Sequence, residues 1–144
     1  MTPSTPRFDR VPASGTVPPS VAWGLLFMRV SAAVLLLCVH GLPKLLHWNV
    51  EVQRIEDPFG LGGSLTLGLA VFAEVLCPLL LILGIYARLA CLPVLAVLAV
   101  AVAVVHPEWT LEQGQFAWLL IILYAGLALT GPGPLVIAGV RQRS

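Results

Sequence analysis

Ionisable residues interrupt the first long apolar stretch of the chain. The segment 29–47, RVSAAVLLLCVHGLPKLLH, carries Arg29, His40, Lys44 and His47. At ~100° per residue, Arg29, His40 and His47 would lie within roughly 20° of one another on a helix, with Lys44 about 60° away. Charged groups are costly inside a hydrophobic span and typically face a bundle interior, an ion pathway or a ligand. This stripe is therefore the first candidate site.

A carboxylate occupies a comparable position in the second apolar stretch. Arg29 lies ~12 Å and Glu74 ~15 Å from the same end of their respective stretches, at ~1.5 Å per residue. This similar depth predicts that Arg29 and Glu74 pair inside the bundle. The pair would be either a structural salt bridge or part of a pocket for a proton, an ion or a ligand head group. Pro78 removes the backbone donor that would bond to the carbonyl of Glu74. Pro43 should loosen the first helix in the same way, one turn before the proline, at His40-Gly41.

The three histidines of the chain are expected at the opposite end of the bundle. His40, His47 and Lys44 come late in the first apolar stretch, and His106 follows the third. These histidines could carry protons or donate hydrogen bonds to a quinone carbonyl, or they could be interfacial residues without a special role. Their spacings match no metal motif, so no metal site is expected. No catalytic residue can be assigned from these patterns.

The composition indicates the environment in which this protein folds. Of its 144 residues, 58% are hydrophobic and only 10% are charged, whereas a soluble domain is about a quarter charged. The expected partner is therefore the lipid bilayer. The net charge of +1 gives no reason to expect nucleic acid. Cys38, Cys77 and Cys91 all fall in apolar runs, which predicts buried small side chains rather than a disulfide framework.

The predicted architecture is all-α, an integral membrane four-helix bundle at 21–134. A proline-rich tail at 1–20 is expected to be disordered, residues 48–64 to form a polar loop, and residues 135–144 to form a C-terminal tail. Four stretches are long or apolar enough to be spans, at about 21–46, 65–83, 89–105 and 113–130.

Basic residues predict the orientation. One side of the predicted spans carries five arginines, at positions 7, 10, 88, 141 and 143, whereas acidic residues dominate the other side. The positive-inside rule then places both termini in the cytoplasm.

Several of these residues also carry a family resemblance. Arg29 is followed by Ala32 and Ala33, and the pattern continues through His40-Gly41, Lys44, Glu74, LLLILGIYARLA at 79–90, His106, and LYAGLALTGPG at 123–133. In order and spacing these motifs resemble the DoxX family of small bacterial membrane proteins, over roughly residues 24–134. The resemblance implies a four-helix protein of the bacterial cytoplasmic (inner) membrane. Its polar positions would be Arg29, His40, Lys44, Glu74, Arg88 and His106.

The chain departs from the family pattern at two places. Many members open the fourth span with an acidic residue, where this chain has Gln115, with Glu112 one turn earlier. Many carry Ser-Leu-Asp after the GPG motif, where this chain has residues 135–137 as Leu-Val-Ile.

The resemblance implies a role in redox complexes, because the best-known members are subunits of a thiosulfate:quinone oxidoreductase. This chain would then be a membrane subunit or anchor of a quinone-linked oxidoreductase complex, with quinone as the candidate cofactor and a soluble or membrane oxidoreductase as the partner. Two alternatives remain open: a non-catalytic assembly or interaction protein, and a small transporter or proton conduit, which a homo-oligomer could enlarge.

Overall fold

The computed structural model describes residues 17–137, and within them the chain is all-α, as predicted. Its helices are α1 (Pro19–Leu46), α2 (Trp48–Arg54), α3 (Gly63–Leu83), α4 (Ala87–Val105) and α5 (Gln115–Thr130). Helices α1, α3 and α4 are long and apolar enough to cross a bilayer, and α5 is a shorter apolar helix. The chain is therefore a multi-pass membrane protein.

Helices α1 and α3 each begin two residues before the expected start of their span. Helix α1 begins at Pro19, whose fixed φ suits the first helical position, so the last two residues of the predicted tail are helical. The predicted disorder of residues 1–16 lies outside the described residues. Residues 48–54 form a helix, so the prediction of a loop throughout 48–64 was wrong. Trp48, Val52 and Ile55 recur at the four- and three-residue spacing of an apolar helix face.

The four longer helices pack as two pairs. Helix α3 packs against α1 along its length, and α4 packs against α5. We call the end of the bundle where Gly84 links α3 to α4 the Gly84 end. The pairs are joined by contacts of α1 with α5, and by contacts of α3 with α4 that extend from the Gly84 end to Phe72–Leu76. At the opposite end, where His106 follows α4, the two pairs diverge. The result is a wedge that opens toward what we call the His106 end.

The apolar core fills the closed part of the wedge. Its buried members come from all four longer helices and include Leu36, Leu81, Val94, Leu120 and Tyr124. The Tyr124 hydroxyl donates a 3.2 Å hydrogen bond to the carbonyl of Ala32, which satisfies the one polar atom of this side chain. Two of the cysteines, Cys77 and Cys91, are buried in this core as expected, whereas Cys38 is exposed on α1.

Each of the three long helices contains one π-helical turn. These turns are Leu37–Gly41, Phe72–Leu76 and Ala101–Val105. The first two come immediately before the turns that contain Pro43 and Pro78, so the helix widens where a proline removes a backbone donor. Isolated π turns are frequent at functional sites. Here they carry His40 and Glu74, two of the residues singled out by the sequence.

Candidate functional site

A cavity of about 670 Å³ occupies the open part of the wedge. His40, Lys44, Glu74 and His106 all line it. Its remaining walls are mostly apolar and come from α1, α3, α4 and α5, among them Leu36, Leu69, Phe72, Ala73, Val97, Ala101, Phe116 and Leu120. A largely apolar cavity with a few convergent polar groups is the usual form of a small-molecule site.

An ion pair between Lys44 and Glu74 forms the polar part of this cavity. The Lys44 Nζ lies 2.7 Å from Oε1 and 2.6 Å from Oε2 of Glu74. The Glu74 side chain is 7% exposed and that of Lys44 is 24% exposed. Because the ammonium group contacts both carboxylate oxygens, the pair presents two adjacent ionised groups with no net charge. It can therefore exchange hydrogen bonds, or a proton, with a bound molecule without itself requiring a counter-ion.

Helix direction explains why these two side chains meet. Side chains on an α-helix lean toward its N-terminus. Helix α1 runs toward the His106 end and α3 runs away from it, so Lys44 and Glu74 lean toward one another. Gly41 packs against the backbone carbonyl of Glu74, which places Lys44 three residues, or ~4.5 Å, nearer the His106 end than Glu74. The lysine side chain is long enough to cross this offset.

The predicted pairing of Arg29 with Glu74 was wrong. Arg29 is 1% exposed, and its guanidinium donates through Nη1 to the carbonyl of Pro132 and through Nη2, at 2.8 Å, to that of Leu135. Because Gly41 is level with Glu74, Arg29 lies twelve residues, or ~18 Å, closer to the Gly84 end. The equal-depth argument failed because α1 is longer than α3 and the two helices are offset. The N-terminal lean of the Arg29 side chain directs it still farther from Glu74.

The bonds from Arg29 also correct the C-terminal prediction. Residues 135–137, expected to belong to a tail, fold against the Gly84 end of the bundle. The amide of Ile137 donates to the carbonyl of Leu83 at 3.3 Å, and a Cβ added to Gly84 would lie 2.7 Å from the Val136 side chain. The segment that replaces Ser-Leu-Asp after GPG therefore lies against the end of α3, with the Val136 side chain on Gly84. Residues 138–144 of the predicted tail lie outside the described residues.

His40 lies beside the ion pair and closes one side of the cavity. Its ring stacks on that of Phe116 at the start of α5, with centroids 5.7 Å apart and planes inclined by 28°. This contact joins α1 to α5 where the helix pairs have begun to diverge. His40 lines the cavity together with Lys44 and Glu74.

His106 lies at the mouth of the cavity, between two loops. Its ring stacks on Trp109, with centroids 4.0 Å apart and an interplanar angle of 6°. Its Nε2 lies 3.7 Å from a carboxylate oxygen of Glu56, and its Nδ1 lies 3.6 Å from one of Glu108. His106 thereby connects the segment after α4 to the segment between α2 and α3.

The segment between α2 and α3 covers the mouth and is organised by Asp57. The Asp57 carboxylate accepts hydrogen bonds from the amides of Leu61 at 3.0 Å and Gly62 at 2.6 Å, and from the hydroxyl of Thr66 at 2.8 Å. These donors stabilise the ionised form, the Thr66 hydroxyl most strongly, so the pKa of Asp57 is lowered from its ordinary value. The same bonds hold Leu61 and Gly62, the two residues that immediately precede α3. Pro58, Phe59 and Leu61 of this segment face the cavity.

The secondary candidates lie outside the cavity. His47 is exposed at the end of α1, where its Nδ1 lies 3.2 Å from the carbonyl of Pro43. Glu112 and Gln115 are exposed near the start of α5. Arg88 lies at the Gly84 end, where its Nη2 donates to the carbonyl of Leu129 at 3.4 Å. Arg88 and Arg29 both bind carbonyls just at or after the C-terminal turn of α5, where a helix dipole favours cations.

Sequence reasoning missed several residues at the mouth. Glu51 and Arg54 of α2, Glu56, Thr66 and Gln113 all line the cavity. Glu51 and Arg54 could have been found from the sequence. The apolar residues of α2 mark one face of this helix, and its polar side chains lie on the cavity side. Gln113 gave no signal, because its neighbours Glu112 and Gln115 are equally polar. Within residues 17–137 no three His, Cys, Asp or Glu side chains come together in a way that could hold a metal ion.

Comparison with known proteins identifies the family. The DoxX family profile matches residues 24–107. This region holds His40, Lys44, Glu74 and His106 and covers more than half of the chain. No curated protein and no solved structure matches the sequence. The resemblance is thus confirmed over residues 24–107, and the chain belongs to the DoxX family.

Proposed function

We propose that this protein is the membrane subunit of a quinone-linked oxidoreductase complex and that its cavity holds the quinone. The observation that carries the proposal is the Lys44–Glu74 ion pair in a cavity whose walls are mostly apolar. A quinone needs an apolar enclosure for its ring and tail, and hydrogen-bonding groups for its carbonyl oxygens. The cavity offers both, and its volume of about 670 Å³ lies within the range of small-molecule sites.

The polar groups suit a head group that is neutral overall. Lys44 contacts both oxygens of Glu74, so an anionic ligand would compete with Glu74 for the same ammonium group. A quinone carbonyl needs a hydrogen-bond donor only, which His40 or Lys44 can supply without breaking the pair. The aromatic rings of Phe116 and Trp109 on the cavity wall offer stacking surfaces for a quinone ring.

Electrons would come from a partner, which we propose is a soluble or membrane-bound oxidoreductase docked at the complex. In this proposal the chain binds and orients the quinone, and the Lys44–Glu74 pair with His40 holds the protons that a reduced quinone takes up. The partner would dock where the mouth segments lie, at the His106 end, because the cavity is reached from there.

The proposed topology has four spans in a bacterial cytoplasmic membrane, with α5 as the fourth. Its 16 residues extend ~24 Å, somewhat less than the ~30 Å hydrocarbon core. Arg88 lies at the Gly84 end, and Glu51, Glu56 and Glu108 lie at the other end. This distribution supports a cytoplasmic Gly84 end by the positive-inside rule.

Quinone binding by the purified protein tests the proposal. The protein is extracted from membranes in mild detergent, and its bound quinone is extracted and identified by mass spectrometry. We expect stoichiometric quinone in the wild type and a loss of about tenfold in affinity, equivalent to ~1.4 kcal/mol, for His40→Ala. The matched control is His47→Ala, which removes a histidine from the same helix outside the cavity.

Two outcomes would contradict this function. One is a wild-type protein that retains no quinone and does not bind added quinone. The other is equal binding by the wild type, His40→Ala and Glu74→Gln, because the quinone would then lie elsewhere. Co-purification of an oxidoreductase that is lost on mutation of Glu56 or Glu108 would support the partner side of the proposal.

A further inference from the structure

The cavity has two boundaries of opposite character. At its mouth, charged and polar groups surround it: Glu51, Arg54, Glu56, His106 and Gln113. Along the side between α3 and α4, the lining residues carry no charge until Glu74. A long hydrocarbon tail cannot lie across the charged mouth without desolvating those groups. An apolar tail therefore has only the side boundary available to it among the described parts of the cavity.

The side between α3 and α4 is open to the exterior. Leu69 and Phe72 of α3 line the cavity and are nevertheless 49% and 46% exposed. Ala96 of α4 also lines the cavity and is exposed. A residue that both lines a cavity and lies on the outer surface marks the rim of an opening. These three residues define what we call the α3–α4 gap.

The gap lies at the level of the hydrocarbon core. Phe72 is nine residues after the start of α3, and Ala96 is nine residues before the end of α4. Because these two helix ends lie at the His106 end, both residues are ~13.5 Å from it. This depth is near the middle of a ~30 Å hydrocarbon layer. Glu74 is only two residues farther along α3, in the π turn Phe72–Leu76 that contacts α4, so the gap ends at the level of the ion pair.

The opposite side of the wedge, between α1 and α5, is closed below its His106 end. There His40 of α1 stacks on Phe116 of α5, and Leu36 and Leu120 are each 1% exposed below them. The α1–α5 side is therefore closed below the His40–Phe116 contact, although Phe116 itself lines the cavity and is 37% exposed at the start of α5. The small side chains of Ala96 and Ala101 on α4 leave room in the gap, where a larger residue would fill it.

From this geometry we infer that the ligand enters from the lipid through the α3–α4 gap and keeps its tail there when bound. The inference rests on the proposed quinone function and narrows it to a membrane-borne, long-tailed isoprenoid quinone. The head group reaches the Lys44–Glu74 pair, and the tail leaves between Phe72 and Ala96 into the bilayer. Discrimination between ligands then depends on the tail as well as the head, because a tail-less quinone does not need the gap.

Plugging the gap after folding tests this route. In a Cys38→Ser background, Ala96→Cys places one accessible thiol in the gap, since Cys77 and Cys91 are buried. The folded protein in lipid nanodiscs is modified either with a methylthio group or with a bulky aromatic maleimide. Binding of a long-tailed isoprenoid quinone and of a tail-less benzoquinone is followed by quenching of tryptophan fluorescence, since Trp109 lies on the cavity wall.

The matched control is Ala99→Cys with the same two reagents. Ala99 is exposed on the same helix but does not line the cavity. We expect the bulky adduct at position 96 to weaken binding of the long-tailed quinone about tenfold or more, or ~1.4 kcal/mol. Binding of the tail-less compound is expected to change less than about twofold. The methylthio group at 96 and either adduct at 99 are expected to leave both affinities unchanged.

The outcomes separate this inference from the proposed function. If the wild type binds both quinones and the bulky adduct at 96 changes neither affinity, the route is wrong and the quinone site stands. Equal losses for both compounds mean that the adduct fills the cavity itself, and this also overturns the route. A wild-type protein that binds neither compound overturns the quinone function and this inference together.

Discussion

Gly41 of α1 lies directly against the backbone carbonyl of Glu74 in α3. A Cβ at position 41 would overlap that carbonyl and would lie 2.9 Å from the Val75 side chain. Both residues belong to π-helical turns, and the carbonyl is the one that Pro78 deprives of its helical donor. This contact sets the register of α1 against α3. It thereby brings Lys44 to Glu74 and keeps Arg29 away from it.

Replacing this glycine tests the register. We expect Gly41→Ala to lower the free energy of unfolding by at least about 2 kcal/mol, because overpacked sites cost ~1–3 kcal/mol and here the obstacle is backbone. Thermal unfolding in detergent measures the effect. Gly126→Ala in α5 is the control, since a Cβ there meets nothing within 4 Å and alanine favours a helix. Equal stability of the two variants would contradict the close approach of α1 and α3.

The Lys44–Glu74 pair is expected to behave as a coupled unit. Removing one partner of a buried pair costs ~3–5 kcal/mol, because the other charge is left unpaired. Lys44 retains some access to water, so we expect Glu74→Gln and Lys44→Met to cost about 3 kcal/mol each, near the lower end of that range. The double variant is expected to cost clearly less than the sum of the two single variants. Additive losses in thermal unfolding would show that the two groups do not interact.

Arg29 and Glu74 are expected to be independent of one another. Arg29 binds the carbonyls of Pro132 and Leu135, and its loss would leave these acceptors without their side-chain donor. A double-mutant cycle of Arg29→Leu and Glu74→Leu is therefore expected to be additive within ~0.5 kcal/mol, as for sites without shared partners. A double variant that is more stable than Arg29→Leu alone would instead support the Arg29–Glu74 pairing that the sequence suggested.

The segment that covers the cavity mouth is expected to loosen in acid. Hydrogen bonds from Thr66, Gly62 and Leu61 lower the pKa of Asp57 in the folded protein. The carboxylate thus stabilises the segment fully at pH values above the unfolded pKa of about 3.9. This contribution is lost as the pH falls through the lower folded pKa, where the group gains a proton. Hydrogen exchange at the amides of Leu61 and Gly62, compared between pH 6 and pH 3 after correction for intrinsic rates, measures the loss.

Two variants sharpen this pH experiment. Asp57→Asn removes the titrating group, so its corrected exchange is expected to be fast at both pH values. Glu51→Gln removes a carboxylate from α2 that accepts none of these hydrogen bonds, and it is expected to retain the wild-type pH dependence. Protection that persists unchanged at pH 3 in the wild type would show that the ionised Asp57 does not hold the segment.

The sequence by itself determined that the chain is helical and resides in a membrane. Its low charge content and long apolar runs left lipid as the only suitable solvent. It also selected His40, Lys44, Glu74 and His106, because polar groups in such runs are too costly to be there without partners. Motif order and spacing were sufficient to recognise the family. These properties depend on residue type and local spacing, which the sequence contains directly.

Only the tertiary structure decided which of these groups meet. The depth of a residue was counted from the expected end of its own helix, and that count contains no information on how two helices are offset. The offset is set by the packing of Gly41 on Glu74, a long-range contact between small surfaces. This offset places Lys44, rather than Arg29, next to the Glu74 carboxylate. It places Arg29 next to the C-terminal segment. The divergence of the helix pairs, which creates the cavity and its α3–α4 gap, is likewise a property of packing that no single helix specifies.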